Sequence, residues 1–213
     1  NFKEEDLKPE HKKELKDLGE EVRQKLRCSS VKEARRLSAE LNGIFGYYGS
    51  RKPEETHIHY LISTDTFQGK LTADLVKEYL YGMGVRTVEI FTPRGLSTAN
   101  TRSFSNGIKE IVKWCYEVVN GYRERGYRVV FNLVGSFKSL QGFMNTLGMF
   151  YADEVIYIFE ASSADLIRIP RFPIRIEVER MLLEKAGLFA MLEKGYIASQ
   201  EEAEGIPEIY LDR

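Results

Sequence analysis

The chain has 213 residues, of which 43% are hydrophobic and 12% aromatic, enough to build a substantial folded core. At roughly 150 residues per domain, this length predicts one domain with a modest appendage and excludes two large independent domains. The 31 Lys and Arg residues against 32 Asp and Glu exclude a protein that coats long nucleic acid along one uniformly basic surface. No run approaches the roughly 18 apolar residues of a membrane span, and the first residues lack the apolar core of a secretory signal, so we expect a cytoplasmic protein with no membrane partner.

Cysteine and histidine form no metal or disulfide pattern. Cys28 and Cys115 fall in helical patterns, outside any Cys-x-x-Cys or Cys/His cluster, which predicts neither a disulfide framework nor a zinc site. His57 and His59 lie two apart on a predicted strand, with no third ligand nearby in sequence. Ordinary strand residues are the favoured interpretation of this pair over a chemical role. We expect no metal and no cofactor.

Hydrophobic periodicity predicts helices over residues 3–45, with Ser29 and Ser30 placed to cap the turn between two apolar stripes. Strands and helices then alternate, as strand 57–63, helix 72–81, strand 87–91, helix 105–122, strand 127–134, helix 139–151 and strand 154–159. This alternation predicts an α/β, Rossmann-like fold with a mostly parallel sheet flanked by helices. Ligands then belong beyond the carboxyl ends of the strands.

The pattern changes after the last of these strands. Residues 165–174 contain two prolines and predict an extended excursion, such as an edge hairpin, and a helix over 177–194 with an acidic tail follows. We expect a Rossmann domain over residues 1–175 and a helical connector, or the start of a C-terminal module, over 176–213.

The net charge of −1 hides two regions of opposite sign. Residues 177–213 hold four basic and nine acidic residues, whereas residues 81–150 hold four acidic and nine basic ones. The nine basic residues are Arg86, Arg94, Arg102, Lys109, Lys113, Arg123, Arg125, Arg128 and Lys138. Solvated helix faces explain most of them, but Arg94, Arg102 and Lys138 fall in predicted loops or at a helix start on the ligand side.

The segment 131–143 runs from a strand through a Gly-Ser turn into a helix. Gly135 allows a ligand to approach the backbone, the free N–H groups of the helix start favour an anion, and Lys138 adds a mobile charge. The pattern is neither a P-loop nor a G-x-G-x-x-G fingerprint, and the alternative is an ordinary strand–glycine–helix junction.

Two more polar loops follow predicted strands. In segment 61–70, the side chains of Ser63, Thr64, Thr66 and Gln68 suit base edges and ribose hydroxyls better than phosphates. The alternative is that Thr64, Asp65 or Thr66 only caps the next helix. The third loop, 92–103, contains Arg94 and Arg102. Three polar loops at one edge of a sheet predict a broad, shallow site.

These segments together resemble the CARF family, the CRISPR-associated Rossmann-fold sensors of type III systems. The resemblance rests on the Ser63-Thr-Asp-Thr66 loop, on Asn132-Leu-Val-Gly-Ser-Phe-Lys138, on Ala152-Asp-Glu-Val-Ile-Tyr-Ile-Phe-Glu160, and on a helix carrying Ala39-Glu-Leu-Asn42. The resemblance covers roughly residues 30–175 of the chain. Within the family, the chain resembles the sensor domains of ring nucleases and of HEPN-ribonuclease effectors.

The resemblance implies a homodimer whose paired sites bind a cyclic oligoadenylate, an RNA ring, which some members also cleave. It assigns phosphate contacts to Gly135, Ser136, Phe137 and Lys138 and the adenosine side to Ser63, Thr64, Asp65 and Thr66. Gln68, from the same polar loop, is a further predicted ligand contact. The preferred ligand is cyclic tetra-adenylate, because the ring-cleaving relatives act on the smaller ring. Lys138 and Ser136 are the predicted catalytic residues, with Arg94 and Arg102 as further ligand contacts.

The sequence departs from the family pattern at two places. Ser136 stands where the family usually has Gly, and the opening strand with its G-T-S-x-L-x-N loop is absent from the sequence, so we expect that strand to be missing. The expected chemistry is metal-independent attack of a ribose 2′-hydroxyl on the neighbouring phosphodiester, with Lys138 neutralising the developing charge.

Three alternatives remain open. In the first alternative, the chain is the regulatory sensor domain of a longer effector nuclease that continues beyond Arg213, and it does not cleave the ring. The R-x-x-x-x-H pair that is the signature of a HEPN ribonuclease does not occur in the sequence. A ligand-controlled transcription regulator is a second alternative, disfavoured by the acidic C-terminal segment. A generic nucleotide-binding Rossmann protein is the third, and the missing glycine fingerprint argues against dinucleotides.

Overall fold

The computed structural model describes residues 2–97, 100–158, 165–173, 183–204 and 206, and it divides into two compact units, 1–172 and 173–213. In the larger unit the helices are α1 (Pro9–Arg27), α2 (Val31–Leu37), α3 (Ala39–Tyr47), α4 (Phe67–Gly82), α5 (Thr101–Trp114), α6 (Asn120–Glu124) and α7 (Lys138–Tyr151). The strands are β1 (Ile58–Ile62), β2 (Thr87–Phe91), β3 (Val130–Asn132), β4 (Glu154–Ile158) and β5 (Leu166–Pro170). The smaller unit contains α8 (Ala186–Glu193).

The strands confirm the predicted α/β class. β1 pairs with β2 in parallel, β3 pairs with β4 in parallel, and β5 pairs antiparallel with β4 at an edge. Within the described residues these pairs form two small sheets, in the orders β1-β2 and β3-β4-β5, rather than one continuous sheet. The arrangement is compatible with a Rossmann-like fold. The opening strand and the boundary at residue 175 stay predictions.

Hydroxyl side chains cap the starts of α2, α3 and α4. Ser30 caps α2 in a capping box with Glu33, as predicted, and Ser38 ends α2 and caps α3, which divides the second apolar stripe into two helices. Thr66 caps α4, so this helix begins five residues before the predicted residue 72. Residues 67–70 of the predicted loop therefore form the first turn of a helix.

Other predicted bounds are corrected as well. The predicted helix 105–122 is α5, which begins at Thr101, followed by a π-helical turn, Cys115–Val119, and the short α6. The predicted strand 127–134 is ladder-paired only over β3, three residues long. The predicted edge excursion forms β5. Of the helix predicted over 177–194, the structure shows α8, and residues 177–182 lie outside the described residues.

The main core packs α2, α3 and α4 against β2. Leu41, Phe45, Leu80 and Val88 are fully buried in it, and the Phe45 and Tyr79 rings meet edge to face with centroids 6.0 Å apart. A second layer joins α5 and the π-helical turn, where Ile111 and Cys115 are fully buried. Both cysteines are free thiols, and burial raises the pKa of Cys115 to about 12, so this thiol stays protonated and unreactive.

A histidine pair lies at the start of β1, where His57 precedes the strand and His59 is its second residue. The Tyr48 hydroxyl lies 3.0 Å from His57 Nδ1 and 3.4 Å from His59 Nε2, and the Tyr48 and His57 rings stack. These groups lie at the amino end of β1, opposite the edge where the predicted ligand loops begin. Among the described residues, no group of three or more His, Cys, Asp or Glu side chains could hold a metal ion.

His59 is expected to make the fold sensitive to acid. Burial, reinforced by the His57 charge, lowers the pKa of His59 from 6.5 to about 4. The unfolded chain therefore binds the proton more readily, and stability is lost as the pH falls from about 6.5 to about 4, by at most about 3 kcal/mol. Urea unfolding of the wild type and His59→Phe at pH 7.5 and pH 4.5 tests this, because the variant keeps a ring but loses the titration. An equal loss of stability in both proteins would contradict the prediction.

Candidate functional site

The loops after β1 and β2 are joined at the carboxyl edge of their strands. The Ser63 and Thr92 hydroxyl oxygens lie 2.6 Å apart, the Asp65 N–H donates to the Leu96 carbonyl at 2.8 Å, and the Gly95 N–H donates to Asp65 Oδ2 at 3.1 Å. The structure thus brings together two of the predicted polar loops, 61–70 and 92–103, which are about 30 residues apart in sequence.

Asp65 acts as the anchor of these loops. Its carboxylate accepts ion pairs from Lys70 at 2.9 Å and Lys3 at 3.6 Å, and its side chain is only 15% exposed. Burial alone would raise the pKa of Asp65, but the Gly95 N–H and the two ammonium groups outweigh it and lower the pKa below its usual range. A carboxylate this fully engaged holds the loops in place, and its predicted ligand contact stays a prediction.

The hydroxyl groups of the β1–α4 loop are also engaged within the protein. Thr66 is 2% exposed and accepts from the Gly69 N–H at 3.0 Å, while its oxygen lies 2.9 Å from that of Thr64. The capping interpretation of this loop is therefore confirmed for Thr66. Ser63 is buried as well, whereas Gln68 in the first turn of α4 is exposed.

Gln68 lines a groove between α1, α4 and the start of the chain. The groove has a volume of about 340 Å³; its apolar lining comes from Phe2 and three leucines of residues 7–18, and His11 and Glu14 add polar groups. The Phe2 ring is 63% exposed, and the Phe2 carbonyl accepts from the Phe67 N–H at 3.1 Å. Sequence reasoning missed this groove because α1 precedes the recognised motifs.

The two predicted arginines are exposed around the β2–α5 loop. The Arg94 N–H donates to Glu110 Oε2 at 2.6 Å, which fixes its backbone, and Arg102 is the second residue of α5, a helix capped by Asn100. Two residues further, the Phe104 ring meets the Phe137 ring edge to face, with centroids 5.9 Å apart. This contact brings the start of α5 against the turn before α7.

The turn before α7 joins β3 to a helix, as the strand–glycine–helix pattern predicts. Gly135 has φ of +90°, a region that favours glycine, and it is exposed. The helix begins at Lys138 after an extended Phe137 and has no side-chain cap, unlike α2, α3, α4 and α5. Lys138 is exposed, and within the described part of the chain its ammonium has no hydrogen-bond or ion-pair partner.

The start of α3 lies against this turn. The Asn132 amide donates to the Glu40 carbonyl at 3.1 Å and accepts from the Val134 N–H at 3.1 Å. A Cβ atom on residue 135 would lie 2.5 Å from Glu40 Oε1, so the carboxylate of Glu40 touches the glycine turn. Glu40 belongs to the CARF-like segment Ala39-Glu-Leu-Asn42, but nothing in the sequence places it beside Gly135, which is 95 residues away.

These features define a class of protein, an α/β protein of Rossmann-like type with a polar site formed by loops at the carboxyl ends of its strands. None of the described helices is long and apolar enough to cross a membrane. Residues 35–172, more than half of the chain, match the family described as CRISPR-associated protein (Cas_APE2256). The chain belongs to this CRISPR-associated family, which is of the CARF type, and the resemblance predicted from the sequence is confirmed. The family places the protein in CRISPR defence.

Proposed function

We propose that the protein binds a cyclic oligoadenylate, preferably cyclic tetra-adenylate, as a homodimer and cleaves it without a metal ion. The observation that carries the proposal is the turn from Gly135 to Lys138. Its exposed glycine, its helix start without a side-chain cap, and a lysine that has no partner among the described residues offer N–H groups and a positive charge to a phosphodiester. Family membership makes an RNA second messenger the favoured anion.

The exposed arginines extend this charge along the site. Arg94 and Arg102 lie in the loop and helix start that the Phe104–Phe137 contact holds against the turn. Ring phosphates that pass from the turn to this loop would meet a positive charge at each step. The ligand proposed for the turn therefore extends over more than one phosphate.

The groove beside α4 supports the adenosine side of the proposal. A glutamine amide pairs with the N6 and N7 atoms of adenine, and an exposed aromatic ring provides a surface for base stacking. Gln68 and Phe2 supply these groups in one groove next to the loop that Asp65 anchors. The proposed base contact is therefore made by Gln68, while the buried Ser63 and Thr66 support the loop.

Dimerisation follows from the symmetry of the ligand. A cyclic tetra-adenylate has a two-fold axis, and an isologous dimer duplicates each contact across such an axis. One turn from each protomer would then face one half of the ring. The smaller unit, residues 173–213, is proposed to connect this sensor to a partner effector domain.

Incubation of the purified protein with cyclic tetra-adenylate and cyclic hexa-adenylate in EDTA tests the proposal directly. We expect the tetra-adenylate ring to be converted to linear products with a 2′,3′-cyclic phosphate, because attack by the 2′-hydroxyl forms that group. The matched control is a ring with 2′-O-methyl groups, which should bind and stay intact. A retained but intact natural ring would favour the sensor-only alternative, and no binding of either ring would overturn the proposal.

A further inference from the structure

We propose that Glu40 is the general base of ring cleavage, a step that rests on the proposed function. Attack by a ribose 2′-hydroxyl requires an acceptor for its proton, and the recognised motifs contain no histidine. Glu40 is the carboxylate that the fold places against the Gly135 turn, where the scissile phosphodiester is proposed to bind. The residue is exposed, and among the described residues its Oε1 has no hydrogen-bond partner.

The surroundings of Glu40 orient it toward that turn. Ser38 donates its hydroxyl to Glu40 Oε2 at 2.7 Å, and the same serine oxygen accepts from the Leu41 N–H at 3.2 Å. One oxygen of the carboxylate is thus engaged, while Oε1 faces residue 135. The Asn132 amide holds the Glu40 carbonyl, so the start of α3 is fixed to the end of β3.

The reaction then runs with a complete balance of bonds and protons. The 2′-hydroxyl gives its proton to the Glu40 carboxylate as the O2′–P bond forms and the P–O5′ bond breaks. Lys138 stabilises the charge on the phosphorus oxygens, and the departing O5′ takes a proton from water. The hydroxide that remains removes the proton from Glu40, and the product carries a 2′,3′-cyclic phosphate and a 5′-hydroxyl.

The alternative role of this carboxylate is electrostatic exclusion. A negative charge beside the turn repels phosphate, so a carboxylate that only repels would slow both binding and cleavage. Replacing Glu40 by Gln would then tighten binding and leave cleavage unchanged or faster. A general base has the opposite consequence, because glutamine keeps the size and the bond to Ser38 but accepts no proton from the ribose.

Single-turnover cleavage of cyclic tetra-adenylate by Glu40→Gln, with binding measured on the 2′-O-methyl ring, separates these roles. We expect cleavage to slow by about 10² to 10³-fold while the dissociation constant changes by less than about threefold, and Glu40→Asp to recover part of the rate. The matched control is Glu33→Gln, which alters the same kind of serine–glutamate pair on α2, away from the turn.

Each outcome decides the proposal. Cleavage by Glu40→Gln within about threefold of wild type would overturn the role of Glu40 and leave the proposed function standing. A loss of binding equal to the loss of rate would show a ligand contact in place of a base and also overturn it. No cleavage by the wild type would overturn the proposed function and this inference together.

Discussion

Lys138→Ala is expected to slow cleavage of cyclic tetra-adenylate by about 10² to 10³-fold and to weaken binding by about tenfold. The ammonium is exposed at an uncapped helix start and, among the described residues, is not engaged in an ion pair. Its charge is therefore available to the ligand, and it counts for more when negative charge increases on the phosphorus oxygens. Single-turnover chromatography and a titration with labelled ring measure the two effects separately.

The control for this variant is Lys52→Ala. Lys52 is also exposed but lies in the loop that leads to the amino end of β1, away from the carboxyl-edge loops. The control should bind and cleave as the wild type does, and Lys138→Arg should keep most of the binding because it keeps the charge. Wild-type rates for Lys138→Ala would contradict the proposed role of the turn.

Gly107→Ala is expected to lower the free energy of unfolding by about 1 to 3 kcal/mol. A Cβ atom on residue 107 would lie 2.7 Å from Leu96 Cα and 2.8 Å from Leu96 N, and Leu96 is fully buried. These are backbone atoms of the β2–α5 loop, which cannot move aside as a flexible side chain can. Any shift of Leu96 that makes room for this Cβ atom would strain the hydrogen bonds that join Leu96 and Gly95 to Asp65. Binding of the cyclic oligoadenylate ring should therefore weaken as well.

Gly142→Ala provides the matched control of opposite sign. Gly142 lies within α7, and a Cβ atom there would meet no atom within 4 Å. Alanine should therefore raise the free energy of unfolding by about 0.5 to 1 kcal/mol through helix propensity alone. Urea unfolding of both variants measures the difference, and a Gly107→Ala protein at least as stable as the wild type would contradict the close approach of α5 to this loop.

Local signals in the sequence determined the class of fold and the place of the candidate turn. Alternating strands and helices depend on periodicity within 5 to 18 residues, and a glycine followed by a helix start is read from adjacent positions. The cap at Ser30 and the helix that follows the Gly135 turn are confirmed for this reason. The CARF resemblance rests on the same short segments and is confirmed by the family match.

The bounds of several elements depended on interactions that the sequence does not display. Thr66 competes with Thr64 and Asp65 as the cap of α4, and only the bond to Gly69 selects it. The apolar run around β3 is longer than the strand itself, because only three of its residues pair with β4. Such choices are decided by pairing partners rather than by local preference.

The sequence by itself determined an α/β protein of the CARF type with three polar loops and a Gly-Ser-Phe-Lys turn. Only the tertiary structure decided which side chains of those loops remain available, since it buries Ser63 and Thr66, engages Asp65 with two lysines and leaves Lys138 free of partners among the described residues. It also brought Glu40 against Gly135 across 95 residues of chain. Contacts between distant segments arise from the packing of helices on strands, and no spacing within the sequence encodes them.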